Sequence, residues 1–271
     1  MAAVDLEMTV PRSTIVDDIE RAQRTRGRRG RTIFILVWVA LMAALALLLL
    51  ATNNVYGPWI ATWAPFIIGG AGVTIFICVT SITLATALAV VGALARLSTN
   101  TVVYALASFY VSIVRGTPLL VQIFFIYFAL PQLGIILPAL LAGILALGFN
   151  YGAYMTEIFR AGIQAVPRGQ REAAEALGLP EGTVMRRIVL PQAIRIVIPA
   201  IGNDFISMIK DSALVSAITV QEVLNRAENV GRPSLHTLQA LVIAALVYWI
   251  LTIAFSLVQE RLEERMRRSD R

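Results

Sequence analysis

The sequence is poor in charge. Only 15% of its 271 residues are Asp, Glu, Lys or Arg, whereas 58% are hydrophobic and the mean hydropathy is +0.74. A soluble globular domain carries about a quarter charged residues, so this deficit excludes an ordinary soluble core. The composition is typical of a chain that spends most of its length in a lipid bilayer.

Cysteine, lysine and histidine each occur once. The single Cys78 excludes an internal disulfide and, within its apolar run, is expected to be a small buried residue. The single Lys210 is preceded by Ile209 and followed by Asp211, so the chain lacks the Gly-Lys-Ser/Thr of a phosphate-binding P-loop. If ATP drives this protein, the ATPase is another polypeptide. The lone His236 is expected to be solvated in an outer loop, and no metal site is predicted.

Six apolar segments are each long enough to cross a bilayer as a helix, which needs about 20 mostly apolar residues. They run at about 33–51, 66–95, 102–130, 135–159, 194–218 and 238–258, and the fifth is the most polar. Helices are predicted because they satisfy their own backbone groups in lipid, and none of the runs alternates as barrel strands do.

Arginines flank these segments unevenly. Residues 21–31 hold six, residues 160–187 hold five and residues 261–271 hold five, whereas the loops at 52–65 and 131–134 carry no charge. Because basic residues are enriched in cytoplasmic loops, both termini and the long middle loop are predicted to be cytoplasmic. This also explains the net charge of +6 without nucleic acid, since the arginines flank apolar segments and form no groove with aromatics.

Four regions are predicted along the chain. Residues 1–31 form a basic cytoplasmic tail, partly disordered, and residues 32–65 hold an extra N-terminal membrane helix with its outer loop. That helix is expected to be a retained anchor, because its apolar run exceeds that of a cleaved signal peptide. Residues 66–260 form the core, with a loop at 160–193, and residues 261–271 form a second basic tail.

The middle loop has the local signals of two short helices that meet at a turn. Residues 172–177 are strong helix formers, and Gly178 is able to end that helix in the left-handed conformation. Pro180 suits the first turn of the next helix, and Pro191 interrupts the chain before the fifth segment. The first helix is nearly all Ala and Glu, which allows close approach of another surface and pairing with its basic groups. Taken alone, such a helix is most often a solvated face.

The spacing of the whole loop is more specific. It reads Glu-Ala-Ala, three residues, Gly, nine residues, then Ile-x-Leu-Pro, and it is supplied by Glu172, Ala173, Ala174, Gly178, Ile188, Leu190 and Pro191. This pattern resembles the EAA loop of bacterial ABC-importer permeases. The resemblance implies a coupling helix that inserts into a groove of an ATPase subunit, with the following residues in contact: Glu172, Ala173, Ala174, Glu175, Gly178, Leu190 and Pro191.

Flanking segments narrow the resemblance to permeases for polar amino acids of the histidine, glutamate, glutamine and arginine type. They are Arg-Gly-Thr-Pro-Leu-Leu-Val-Gln at 115–122, Tyr-Met-Thr-Glu-Ile-Phe-Arg-Ala-Gly-Ile at 154–163, Gly-Gln-Arg-Glu at 169–172 and Leu-Pro-Gln-Ala at 190–193. The likeness covers about 66–260 and omits the first span, because these permeases often have five. It departs at 210–214, where the family commonly has Thr-Ser after Lys-Asp.

Membership of this family implies an all-α integral membrane protein with the type I ABC importer transmembrane fold. About six helices are expected, a five-helix core plus the extra N-terminal one. The implied setting is the bacterial cytoplasmic membrane. The implied partners are a second permease chain, two ATP-binding subunits and an extracytoplasmic amino-acid-binding protein. The chain itself would be no enzyme and would hold no cofactor, since ATP and Mg²⁺ are bound by the ATPase subunits.

Polar and ionisable groups inside the apolar segments are candidates for the substrate path, because charges in a membrane are costly and usually functional. The candidates are Arg115, Asn150, Glu157, Asp204 and Lys210. Each has a structural alternative: an ion pair of Arg115 with Glu157, a pair of Lys210 with Asp204 or Asp211, and simple helix packing around Asn150.

Two other functions remain open from the residues alone. A secondary transporter would carry an inverted repeat with paired broken helices, which the sequence does not display. A membrane anchor or sensor without transport activity would bind its partners independently of the loop at Glu172.

Overall fold

The computed structural model describes residues 30, 32–33, 35–44, 47 and 56–268. The chain divides into two compact units, residues 1–56 and residues 57–271. In the first unit the described residues up to 47 are helical, and helix α1 (Ile35–Ala44) is apolar with exposed side chains. It lies inside the first predicted span. Apart from Gly30, the predicted tail at 1–31 lies outside the described residues.

All the regular secondary structure described in the second unit is helical. Its helices are α2 (Gly57–Ile68), α3 (Gly70–Arg96), α4 (Thr101–Arg115), α5 (Leu119–Phe124), α6 (Ala139–Gln164), α7 (Arg168–Ala176), α8 (Glu181–Val184), α9 (Leu190–Asp211), α10 (Val223–Gly231) and α11 (Thr237–Arg268). Short π-helical turns cover Phe125–Ala129 and Met185–Val189, and 3-10 turns cover Leu130–Leu133 and Ser212–Ile218.

The described helices that are long and apolar enough to cross a membrane are Gly57–Arg96, Ala139–Gln164 and Thr237–Met266. The third predicted segment, 102–130, is not one straight span. It breaks at residues 116–118, and the two halves meet at an angle of 105°. Residues 57–65, expected in a loop, are helical instead, and the helix at 237 continues to Arg268. The fifth segment forms α9, which carries Arg195, Asp204, Lys210 and Asp211 and is not among these long apolar helices.

A seam of small residues between α3 and α6 forms the centre of the second unit. Gly148 and Gly152 of α6 lie against Leu84 and Leu88 of α3. Gly92 of α3 lies against Thr156, which is four residues beyond Gly152 on α6. A Cβ atom added at any of these glycines would come within 3.0 Å of the opposing side chain. Small residues at this spacing let two membrane helices approach closely. Helix α6 is continuous through Asn150, so the glycines there serve packing and the chain does not unwind.

Three groups of buried residues surround this seam. The largest lies between α3, α6 and α9 and contains Cys78, which is fully buried as predicted. The second joins α2, α10 and α11 around Trp59 and Val223. The third underlies the middle loop and is described below. His236, expected to be solvated, stacks on Trp59 with ring centroids 5.2 Å apart.

Candidate functional site

The middle loop forms the predicted pair of short helices. Helix α7 begins at Arg168, four residues earlier than expected, and ends at Ala176. Gly178 adopts the left-handed conformation with φ +73°. Its N–H donates to the carbonyl of Glu175 at 2.9 Å, and the N–H of Leu179 donates to the carbonyl of Ala174 at 3.1 Å. These two bonds are those of a Schellman motif, which satisfies carbonyls at the helix end and explains why glycine occupies this position.

The second half of the loop leads into α9 through an irregular turn. Pro180 precedes α8 with its carbonyl accepting from Thr183, and the π-helical turn Met185–Val189 follows. Pro191 has no N–H to continue the ladder of helical hydrogen bonds. The side chain of Gln192 donates to the carbonyl of Ile188 at 2.9 Å. At the Ile-x-Leu-Pro end of the motif, the chain therefore passes from a π-helical turn to the α-helix α9.

The residues of the loop divide between a buried and an exposed side. Its buried side is the coupling-loop cluster, which comprises Ile163, Val166, Ala174, Val184, Val189 and Ala193, with Leu97 packed against it. Glu172, Ala173 and Glu175 are exposed, and Leu177 at the end of α7 is 79% exposed. Ala174 thus fixes α7 to the unit, while its neighbours present two carboxylates and a leucine at the surface.

Glu157 is held by two arginines. One carboxylate oxygen lies 3.1 Å from Nε of Arg96, and the other lies 2.7 Å from a guanidinium nitrogen of Arg160. The pair of Glu157 with Arg115, one of the alternatives above, is not formed. Arg115 instead lies over the ring of Tyr154, 5.1 Å from its centre, and it has no carboxylate partner among residues 56–268.

Asn150 is nearly buried and bonds to a residue that the sequence analysis did not single out. Its amide donates to the side-chain oxygen of Gln122 at 3.2 Å. The amide nitrogen of Gln122 donates to the carbonyls of Val114 and Thr117, at 2.7 and 3.1 Å, and to the Thr117 hydroxyl. Gln122 therefore satisfies carbonyls freed by the break at 116–118. In the sequence, this arrangement is indicated by Gly-Thr-Pro at 116–118, which interrupts the helix, and by Gln122 four residues beyond the proline.

Asp204 and Lys210 lie on α9 without the expected partner. The Oδ2 atom of Asp204 is buried and has no hydrogen-bond partner within the described part of the chain. Lys210 is exposed and forms no ion pair there. Asp211 accepts a hydrogen bond of 2.7 Å from the hydroxyl of Tyr151. The pair of Lys210 with either aspartate is thus absent from the described residues, and both charges remain open to other contacts.

A second buried carboxylate lies outside the apolar segments, where the sequence carries no signal of its burial. Glu222 is fully buried at the start of α10, where it accepts hydrogen bonds from the backbone N–H of Asn225, at 2.7 Å, and from the hydroxyl of Tyr248. Burial raises the pKa of the Glu222 carboxyl. Its position is that of a helix N-cap, a role in which a carboxylate binds free N–H groups.

Beside α10, Arg226 closes the break between α2 and α3. It donates to the carbonyl of Phe66 at 3.1 Å and lies over the ring of the same residue. Gly70 allows α10 to approach, since a Cβ atom there would lie 2.8 Å from the backbone of Val223. These contacts give the segment between the fifth and sixth spans a fixed structure rather than that of a mobile loop.

Comparisons with known proteins agree with this geometry. Residues 87–268 match the family described as "Binding-protein-dependent transport system inner membrane component". The chain is 39% identical to the arginine transport system permease protein ArtQ of Bacillus subtilis, over 76% of this chain and 94% of that protein. It is 40% identical to the L-cystine transport system permease protein TcyB of the same organism, over 75% and 88% of the two chains.

Solved structures give the same fold. A structure titled as an amino acid ABC transporter with histidines superposes with a TM-score of 0.75 and 37% sequence identity, over 78% of this chain and 99% of that one. The MetNI methionine ABC transporter, in an inward-facing conformation, superposes with a TM-score of 0.63 at 19% identity. The prediction of an all-α, type I ABC importer transmembrane fold is therefore confirmed. The chain belongs to the family of binding-protein-dependent transport system inner membrane components, the membrane-spanning permease subunits of ABC transporters.

Proposed function

We propose that this chain is the non-catalytic permease subunit of an ATP-driven importer of polar amino acids. The observation that carries the proposal is the middle loop, in which Ala174 is buried and Glu172, Glu175 and Leu177 are exposed. An exposed leucine flanked by carboxylates on a firmly packed short helix suits insertion into a basic-rimmed groove of another protein. The names of the relatives, which cite arginine, cystine and glutamine, favour a polar amino acid as substrate.

The proposed complex contains two permease chains, two ATP-binding subunits and an extracytoplasmic amino-acid-binding protein. It lies in the bacterial cytoplasmic membrane, with both termini and the middle loop on the cytoplasmic side, as the arginine distribution favours. ATP and Mg²⁺ are bound by the ATP-binding subunits. Residues 66–260 form the permease core with its coupling loop at 160–193, and α2 extends this core back to Gly57. An additional membrane helix lies within residues 32–56, and the basic tails are 1–31 and 261–271.

The proposed mechanism is alternating access. When ATP closes the ATP-binding subunits, the docked α7 moves with them, and the coupling-loop cluster passes this movement to α3, α6 and α9 through Leu97, Ile163 and Ala193. Because packed interfaces switch between discrete arrangements, a shift of the loop is able to open the path on one side as it closes on the other.

The proposed substrate path runs past polar groups of α6 and α9. Asp204 and Lys210 suit this role best, because a zwitterionic amino acid needs both a carboxylate and an ammonium group opposite its ends. Asn150, Glu157 and Arg115 are further candidates, but each already contacts a residue of its own chain. They would contribute to the shape of the path more than to its charge.

The proposal is tested by reversing one charge on the docking helix. Glu172→Arg is expected to abolish copurification of the ATP-binding subunits and amino-acid uptake, since it places a cation on the surface that meets a basic groove. The matched control is Glu260→Arg, which reverses an exposed carboxylate on α11 outside the loop. Equal ATPase association and uptake in Glu172→Arg and the wild type would refute the proposal. Substrate-stimulated ATP hydrolysis, assayed across amino acids with the cognate binding protein, identifies the cargo.

A further inference from the structure

Arg96, the last residue of α3, binds two other helices at once. Its Nε atom donates to Glu157 of α6 at 3.1 Å, and a terminal nitrogen donates to the hydroxyl of Ser108 on α4 at 2.5 Å. The guanidinium also lies over the ring of Tyr104 on α4, 4.9 Å from its centre. One side chain therefore joins the ends of α3, α4 and α6. We name Arg96, Ser108, Tyr104, Glu157 and Arg160 the three-helix tie.

The three-helix tie adjoins the coupling-loop cluster on both sides. Leu97, the residue after Arg96, packs against that cluster. On α6, Arg160 holds the second oxygen of Glu157 and also donates to Gln164 at 2.7 Å, at the end of the helix. Ile163, between these two, belongs to the cluster itself. Arg96 is adjacent to Leu97, and Arg160 lies three residues from Ile163, so the tie touches the cluster within one helical turn on α3 and on α6.

Helix α4 depends on the tie for its attachment at this end. Farther along, the hydroxyl of Tyr110 donates to the carbonyl of Phe149 on α6 at 2.7 Å. Between residues 101 and 115 most side chains of α4 are exposed, and Ala107 and Val111 are its buried ones. Polar contacts at Arg96 and Tyr110 thus fix a helix whose apolar packing is slight. Beyond Tyr110 lies the break at 116–118.

The ion pair inside the tie is suited to a positioning role. The side chains of Arg96 and Glu157 are only 18% and 19% exposed, so the loss of one partner leaves the other charge poorly solvated. Both carboxylate oxygens of Glu157 are already bound by arginines. The planar guanidinium of Arg96 bonds to two helices and stacks on a ring, which the compact ammonium of lysine cannot do.

We propose that Arg96 is a positioning residue that carries movement of the coupling loop to α4, and through α4 to the broken third span. The proposal rests on the proposed function, since it assumes that an ATPase moves the loop. In this proposal Glu157 and Arg160 hold Arg96 in place, whereas Ser108 and Tyr104 transmit its movement to α4.

The transport test uses the chain reconstituted in proteoliposomes with its ATP-binding subunits, and it measures amino acid taken up per ATP hydrolysed. Arg96→Gln is expected to lower this ratio about two- to thirty-fold, the usual range for residues that couple two sites. Arg96→Lys should give an intermediate value. Tyr104→Leu, which removes the ring contact on α4 and leaves the bonds to Ser108 and Glu157, should lower the ratio in the same direction. The matched control is Arg232→Gln at the residue after α10, which removes an exposed arginine paired with Glu228.

A second measurement separates this proposal from the proposed function. A spin label at the exposed Val102 on α4 reports the mobility of that helix in the chain alone, without ATP-binding subunits. Arg96→Gln should raise the mobility and Glu172→Arg should leave it at the wild-type value. Unchanged mobility in Arg96→Gln would refute the claim that the three-helix tie holds α4 in place. Raised mobility with an unchanged transport ratio would overturn its role in coupling. Absence of the ATPase from the wild-type complex would refute the proposed function and, with it, the coupling role.

Discussion

The seam between α3 and α6 is tightest at Gly92, which makes Gly92→Ala a stringent test of the packing. A Cβ atom at this position would lie 2.4 Å from Oγ1 of Thr156 and 3.0 Å from its Cγ2. Ordinary contacts between such atoms exceed 3.4 Å, so the threonine must rotate or the helices must separate. Rotation breaks the hydrogen bond of 2.8 Å from Thr156 to the carbonyl of Gly152.

The cost of Gly92→Ala is estimated from these two effects. One extra methyl group in a well-packed core destabilises by about 1–3 kcal/mol. The lost hydrogen bond of Thr156 adds at most about 0.6 kcal/mol, the average for side-chain bonds between membrane helices. Alanine favours a helix over glycine by about 0.5–1 kcal/mol, which offsets part of the cost. We therefore expect the free energy of unfolding to fall by about 1–3 kcal/mol.

The measurement is SDS-induced unfolding of the purified chain in mixed micelles, followed by tryptophan fluorescence. Gly72→Ala is the matched control, because Gly72 lies in the same helix with no atom within 4 Å of its added Cβ, and it should raise the free energy of unfolding by at most about 1 kcal/mol. Thr156→Ala in the Gly92→Ala background should restore at least half of the loss, since it removes the obstructing atoms. If Gly92→Ala matches Gly72→Ala, or if Thr156→Ala restores nothing, the seam is looser than described.

Three further outcomes are expected. Gln122→Leu should lower the free energy of unfolding by about 1–3 kcal/mol, because it leaves the carbonyl of Val114 and the amide of Asn150 without a partner. The double variant with Asn150→Leu should lose little more stability than Gln122→Leu. If the losses of the two single variants add in full in the same titration, the pairing is contradicted. Leu177→Asp should weaken ATPase copurification at least about tenfold while unfolding stays within about 0.5 kcal/mol of the wild type, since this side chain is exposed; wild-type copurification would exclude it as an anchor. Lys210→Met should lower uptake about tenfold and Lys210→Arg less, and uptake equal to that of the wild type in both would exclude the ammonium from the path.

The fold was predicted from the sequence where the governing physics is local. Long apolar runs predicted α3, α6 and α11, because only a helix satisfies its backbone in lipid. The left-handed turn at Gly178 was predicted as well, since glycine adopts this conformation with little cost. The exposed Ala and Glu surface of α7 followed from the same composition.

The third span shows where hydropathy is insufficient. Residues 102–130 are mostly apolar in spite of Arg115 and Gln122, and a hydropathy profile records apolarity without direction. The bend of 105° depends on Gly116 and Pro118, and on the carbonyls that Gln122 binds across the break. These signals were present in the sequence, but the motif they belong to was used only for its resemblance.

The partners of charged residues could not be read from the sequence, because they depend on which helices are neighbours. Glu157 pairs with Arg96 across the α3–α6 seam, although Arg96 stands at the end of an apolar segment and more than 60 positions away in sequence. Glu222 follows the fifth apolar segment, yet it is fully buried and accepts a hydrogen bond from Tyr248. In both cases the missing information was the packing of distant segments.

The broken third span also constrains the order of biogenesis. When residues 101–133 leave the ribosome, they form one continuous apolar stretch, and helix α6 does not yet exist. The partner that orients Gln122, Asn150, lies on that later helix. We expect the bend, which Gly116 and Pro118 favour locally, to become fixed only after α6 has entered the membrane beside it. Truncation of the nascent chain before residue 139 should accordingly yield a third segment whose bend angle varies, and extension beyond 164 should fix the bent form.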